Sequence, residues 1–335
     1  MFTFVKKKLN KTILIIKKVI LNSLLVLIAI VFASCSSDDD NSSSNPTSNT
    51  IADFVNENPN YSTLKSALDL TSLTPALSSS TEFTVFAPDN DSFESFLSSN
   101  GFSSLDDVPL EVLEQVLLNH VIQGVNDSSS LSTGYVKTLA EESSTMNKID
   151  MYINTSNGVM LNGESSVIAA DVTVDNGVIH AVDSVINLPT VVTFATADAT
   201  FNTLVAALTR ESSFTYVSTL SSTTSPAPFT VFAPTNDAFG SLLTELGASS
   251  LNDIATATLE STLNTHVVAM ANVLSTDLTD GMTVSTLGDT FVINTTSGVT
   301  FLDQMDRTGN VIVADVQASN GVIHVVDTVI LPNLN

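Results

Sequence analysis

Four histidines and a single cysteine are the residues of this 335-residue chain most often recruited for chemistry. The histidines form two matched pairs, His120 with His266 and His180 with His324. A histidine ring binds metals through either nitrogen and serves as a general base near neutral pH. Their surroundings argue against both uses. No second His or Cys lies at ligand spacing, and each histidine stands inside or beside an apolar run. The expectation is a half-buried ring whose nitrogens satisfy backbone groups. His180 and Asp183 are three residues apart, so on a strand they point to opposite faces and form no dyad. Asp89, Asp91 and Glu94 cluster like metal ligands, but 146 residues later the same places hold Thr235, Asp237 and Gly240. Thr can still cap a helix, so capping accounts for the cluster better than a metal does. No Gly-x-Ser-x-Gly, His-Glu-x-x-His, P-loop or dinucleotide fingerprint occurs. The expectation is a protein without catalytic residues, metal or cofactor, and not an enzyme.

The elements that carry these residues are written twice. Phe83-Thr84-Val85-Phe86-Ala87-Pro88-Asp89-Asn90-Asp91-Ser92-Phe93 recurs as Phe229-Thr230-Val231-Phe232-Ala233-Pro234-Thr235-Asn236-Asp237-Ala238-Phe239. Leu113, Leu117 and His120 return at the same offset as Leu259, Leu263 and His266. Asn176-Gly177-Val178-Ile179-His180-Ala181-Val182-Asp183 returns as Asn320-Gly321-Val322-Ile323-His324-Val325-Val326-Asp327. Each copy is far longer than a solenoid repeat, so each is expected to be a domain with its own core. The reading is residues 51–189 and 190–335, joined only at Leu188-Pro189-Thr190, so that damage to one copy leaves the other intact. Within a copy, Phe83 to Ala87 alternate as a strand that Pro88 ends, and Asp89 or Thr235 caps a short helix. Leu110, Leu113 and Leu117 make the stripe of a helix from about Pro109 to Asn119. Ile149–Ile153, Val159–Leu161 and Val167–Val174 read as strands. The Asn-Gly at 176–177 and 320–321 predicts a tight hairpin turn. Helices come mainly first and a strand-rich sheet follows, which is α+β order.

The first 34 residues stand apart from the fold. Six of the eleven basic residues lie in the first 18 positions, and no acid precedes Asp38. Leu24 to Ala33 is apolar throughout but too short to cross a bilayer. Small residues then precede Cys35, the one cysteine, which rules out a disulfide framework within the chain. This pattern resembles the lipobox of bacterial lipoproteins, which implies a signal peptide at 1–34, cleavage before Cys35 and acylation of its sulfur. Ser36, Ser37, Asp38, Asp39 and Asp40 open a Ser/Asn-rich tether over 35–50 and resemble an acidic export tag of surface lipoproteins. The acidic triplet lacks the turn Gly and distal Glu of a calcium loop.

Residues 35–335 hold 35 acids against five bases, a net charge of -30, which opposes binding to phosphate backbones and so excludes nucleic acid. The same charge suits solubility.

The three repeated blocks resemble the fasciclin-like domain. Thr84–Phe93 and Thr230–Phe239 match its Thr-Val-Phe-Ala-Pro block, His120 and His266 its central histidine, and Asn176–Asp183 and Asn320–Asp327 its closing block. The resemblance implies two tandem domains, each a wedge-like β-sandwich wrapped by helices. It also implies extracellular adhesion or ligand binding without catalysis. Many animal members carry Tyr before the central histidine in a segment tied to integrin binding. Here Asn119 and Thr265 take that place, so integrin recognition does not carry over. The expectation is an outer-membrane, cell-surface lipoprotein whose partners are the membrane, through its lipid, and an extracellular protein or polysaccharide. The alternative is a glycan-capture accessory of surface uptake machinery.

Overall fold

A computed structural model describes residues 49–334. Cys35 and the run from Ser36 to Asp40 lie outside these residues. In the first copy, helices α1 (Ile51–Glu57), α2 (Ser62–Leu70) and α3 (Thr74–Leu77) precede strand β1 (Phe83–Pro88). Helices α4 (Asn90–Ser99) and α5 (Leu110–Asn119) follow. Six strands complete the copy: β2 (Val121–Gln123), β3 (Gly134–Glu141), β4 (Lys148–Asn154), β5 (Met160–Leu161), β6 (Ser165–Val174) and β7 (Gly177–Val182).

The second copy keeps this order. It runs α6 (Val191–Ala197), α7 (Asn202–Leu208), α8 (Tyr216–Leu220), β8 (Phe229–Pro234), α9 (Asn236–Leu246) and α10 (Thr256–Asn264). Its remaining strands are β9 (Val267–Ala269), β10 (Thr283–Ser285), β11 (Thr290–Asn294), β12 (Thr300–Leu302), β13 (Thr308–Ala318) and β14 (Gly321–Val326).

Local sequence explains the element boundaries. Thr50 and Thr190 cap α1 and α6 through their hydroxyls. Asp89 Oδ1 accepts from Ser92 N at 2.9 Å, and Thr235 Oγ1 accepts from Ala238 N at 3.1 Å, so two different residues cap the matched helices α4 and α9. Asp91 and Asp237 lie in the first turns, where the helix dipole favours a carboxylate.

β1 is buried on both faces, and its alternation separates two cores. Phe83, Val85 and Ala87 pack with the helices, against Phe93, Leu113 and Leu117. Phe86 points the other way and packs with Met151, Ile153, Leu161 and Val182. The second copy repeats this with Phe229, Val231 and Ala233 on one side and Phe232 on the other. The fold is mixed α+β in two domains, a helical layer over a sheet in each copy.

In the first copy the sheet closes on itself, β1 through β7, rather than forming a plain sandwich. The closing contact is Ile122 opposite Thr138, which the eight-residue β3 makes possible. Its counterpart β10 has three residues, and the second sheet stays open in the order β10-β11-β12-β13-β14-β8-β9. In both copies the first strand runs parallel to the last, Phe83 beside Gly177 and Phe229 beside Gly321.

The two copies are joined by more than the linker. Tyr135 on β3 donates its hydroxyl to Asp198 Oδ2 at 3.0 Å and stands edge-on to Phe194, with centroids 5.4 Å apart. Tyr152 on β4 packs into the helical core of the second copy. Asp150 Oδ2 accepts from Lys137 Nζ and from Gln317 N, each at 2.6 Å, and Lys137 Nζ also reaches the Asp315 carbonyl at 3.1 Å. The expectation of domains joined only through residues 188–190 is therefore corrected. The sequence comparison missed the seam because the residues matching Tyr135 and Tyr152 by strand register are Thr283 and Val292.

Candidate functional site

The matched histidines are the natural place to look for chemistry. His120 follows α5 and is 3% exposed. Its Nδ1 donates to Val116 O at 2.7 Å, and its Nε2 accepts from Ile186 N at 2.8 Å. His266 does the same with Thr262 O at 2.8 Å and Ile330 N at 2.9 Å. Each ring thus ties the last helical turn to the segment after the final strand of its copy. Burial pulls both rings down to about 4, against the pull of the backbone acceptor. They are neutral at physiological pH, with the Nδ1–H tautomer set by geometry.

His180 and His324 use the other tautomer. Their Nε2 atoms donate to Asn126 O and Val273 O, each at 2.9 Å. Their Nδ1 atoms accept from Asp171 N at 3.2 Å and Asp315 N at 3.4 Å. Burial holds His324 below the usual imidazole range. All four rings are buried rather than half-buried.

Sequence reasoning missed two residues beside each of these rings. Asp171 and Asp315 sit at φ 65° and 62°, where the registers of β6 and β13 slip. Their carboxylates each grip one serine. Ser128 donates its N–H at 2.7 Å and its hydroxyl at 2.5 Å, and Ser275 does so at the same distances. The Ser128 hydroxyl and amide hold Asp171 below the usual carboxylate range. The signal was present in the sequence as the matched Ala170-Asp171-Val172 and Ala314-Asp315-Val316.

Serine, aspartate and histidine therefore meet in both copies, but in the wrong order for nucleophilic catalysis. A catalytic serine gives its proton to the histidine, which the carboxylate orients. Here each serine gives its proton to the carboxylate, and both ring nitrogens are occupied by backbone groups. Asp183 and Asp327 lie apart from this cluster and accept from Ser166 N and Asn310 N. Asp91 and Glu94 are exposed. Among the described residues, no three His, Cys, Asp or Glu are grouped so as to hold a metal.

The expected tight hairpin turns are present, one residue before each Asn-Gly pair: Val174 pairs with Gly177 and Ala318 with Gly321, so the turns are Asp175-Asn176 and Ser319-Asn320. Neither Asn176 nor Asn320 adopts a left-handed backbone, so these turns are not of the primed type that Asn-Gly favours. Asn176 is buried. Its Oδ1 accepts from Ile51 N at 2.9 Å and its Nδ2 donates to Leu77 O and Ser79 O at 2.8 Å, stapling α1 and α3 to the sheet. Asn320 does the same with Val191 N, Leu220 O and Ser222 O. Gly177 is required by close approach: a Cβ there would lie 1.9 Å from Phe83 O.

One small cavity, about 30 Å³, lies under α6, α7 and α8 and is lined by Val191, Ala195, Leu204, Leu208, Leu220 and Ile323. The first copy has Ile51 where the second has Val191, and Ile51 is fully buried. Val191→Ile adds one methylene to this space. It is expected to stabilise the second copy by roughly 1 kcal/mol, read as a rise in melting temperature. A fall would mean that the cavity walls cannot yield.

The Fasciclin domain family matches residues 59–189 and 199–332, and the chain belongs to that family. It is 29% identical over 265 residues to the transforming growth factor-beta-induced protein ig-h3 of Oryctolagus cuniculus, covering 78% of this chain but only 36% of that one. It is 37% identical over 145 residues to an uncharacterised Synechocystis protein, covering 43% of this chain and 98% of the relative. A solved FAS1 domain pair from the insect cell adhesion molecule fasciclin I aligns with a TM-score of 0.48 at 19% identity, covering 82% of this chain and 97% of that one.

Proposed function

We propose that the chain is a non-catalytic adhesion or ligand-binding module displayed outside the cell and held on the outer membrane by lipid at Cys35. One observation carries the non-catalytic part. In both copies the buried histidines, and the aspartates and serines beside them, are fully committed to backbone and neighbour contacts. Neither nitrogen of any of the four rings is left to move a proton. Membership of the fasciclin family, which implies adhesion or ligand binding outside the cell, supports the adhesive part. The position of the lone cysteine after a signal-type apolar run supports the anchor.

The test of binding is a screen of the purified chain against glycans, matrix proteins and whole cells. Saturable binding without turnover supports the proposal. Capture of soluble oligosaccharides alone would replace it with the glycan-capture reading. The anchor is tested in the same cells. Cys35→Ala is expected to release the protein from membrane fractions, because several acyl chains, at about 0.8 kcal/mol per buried CH₂, are lost together. Replacing Asp38, Asp39 and Asp40 by Ala is expected to leave it membrane-bound but shielded from external protease. Membrane retention of Cys35→Ala after a high-salt wash would refute the anchor.

A further inference from the structure

The sequence holds five Asn-Gly dipeptides, at Asn100, Asn157, Asn162, Asn176 and Asn320. This pairing is the one most prone to a spontaneous backbone reaction, because glycine puts no side chain in the way of its own amide nitrogen. The fold restrains four of the five. Asn176 and Asn320 are the buried staples described above. Asn162 is also buried, with its Oδ1 accepting from Tyr152 N at 2.8 Å. Asn100 donates its Nδ2 to Phe96 O at 2.8 Å, and the Gly101 N–H is engaged with Ser98 O.

Asn157 is different. It is exposed in the turn between β4 and β5, and its carboxamide has no hydrogen-bond partner among the described residues. Gly158 follows at φ 80°, with open space where a side chain would be. We infer that Asn157-Gly158 is a self-modification site at which the folded protein deamidates through a succinimide, in the first copy alone.

The reaction needs only water and base. The Gly158 amide nitrogen loses its proton and bonds to Asn157 Cγ. The bond from Cγ to the carboxamide nitrogen breaks, and ammonia leaves with the proton. Water then opens the five-membered ring at either carbonyl, giving aspartate or isoaspartate. Ammonia is exchanged for water, and nothing is oxidised or reduced.

The second copy builds the same turn without the reactive group. Asn154 Oδ1 and Asn294 Oδ1 accept from Ser156 N and Thr296 N, each at 3.0 Å, and Gly158 and Gly298 both have positive φ. Ser297 stands where Asn157 stands. Conversion adds one negative charge to the first copy. The isoaspartyl product also inserts a methylene into the backbone next to β5, which pairs with β4 through only Ile153–Leu161 and Asn154–Met160.

The test is timed peptide mapping of the purified full chain at mildly alkaline pH, native and denatured, with fragmentation that separates aspartate from isoaspartate. In the native protein, Asn157 is expected to gain one mass unit at least about tenfold faster than the other four, a factor equal to ~1.4 kcal/mol of local opening. In denaturant the five rates converge. Asn157→Ser, the residue type that the second copy carries at this place, removes the early product while the melting curve stays unchanged. Equal native rates at the five sites, or an Asn157 that converts no faster than Asn176, would overturn the inference.

Discussion

His120→Ala is expected to destabilise the first domain by about 3–5 kcal/mol, and His266→Ala the second by as much. Each substitution leaves a buried amide without its partner, Ile186 N in one case and Ile330 N in the other; Val116 O loses its ring partner as well, whereas Thr262 O keeps the Thr265 N–H at 3.1 Å. It also opens a ring-sized void. Melting curves of the full-length variants measure the loss, and wild-type melting would refute the structural account of these rings. The wild-type protein carries a matching pH signature. Both rings titrate at about 4 when folded, below the unfolded value of about 6.5. The unfolded chain therefore binds more protons between these values, and stability rises with pH across that window. The contribution is complete above about pH 6.5 and is lost as pH falls towards 4. It amounts to at most about 3 kcal/mol per ring. Each Ala variant should show one ring's share less of this slope.

The second large effect is expected at the seam. Asp150→Ala leaves the Gln317 amide unpaired and Lys137 with only the Asp315 carbonyl, and Tyr135→Ala removes the hydroxyl bond to Asp198 and the contact with Phe194. Lys137 is half exposed, so water softens the loss of its ion pair. The buried Gln317 amide is not so relieved, and together the two changes should cost the docked pair about 3–5 kcal/mol. Calorimetry gives the outcome directly. The wild type should unfold in one coupled transition and the double variant in two, with the chain more extended by small-angle scattering. Two transitions in the wild type would show that the seam is too weak to couple the copies. This coupling also changes what the histidine variants should do, since damage in one copy is felt in the other while the seam holds.

What the sequence made legible was local or repeated. The strand ended by Pro88, the cap at Asp89 and Thr235, and the stripe of Leu113 and Leu117 depend on neighbours within a few residues, although Leu110, expected in that stripe, is exposed. The histidine pairs stood out because duplication kept them. The sequence pointed to the turn at Asn176 but not to its role as a staple, because the partners that it holds, Ile51 and Leu77, lie 125 and 99 residues away. The Ser128–Asp171 grip was hidden by a separation of 43 residues. The seam was obscured for a different reason. Comparing two copies emphasises what they share, and Tyr135, Lys137, Asp150 and Tyr152 belong to one copy alone.

The parallel pairing of first strand with last has a kinetic consequence. β1 must wait for β7, whose register partner Gly177 lies 94 residues beyond Phe83, and β8 waits for β14 in the same way. Closing so long a loop costs entropy before any ladder bond repays it, so each domain nucleates late and folds slowly for its size. A nascent copy lacking its closing block has a central strand paired on one side only and no staple for its opening helices. Such a chain stays open until about the last fifteen residues of the copy, from Asn176 or Asn320 onward, have emerged. A truncation just before Asn176 or Asn320 should therefore leave the preceding hundred residues without a stable core, although most of the hydrophobic side chains are already present.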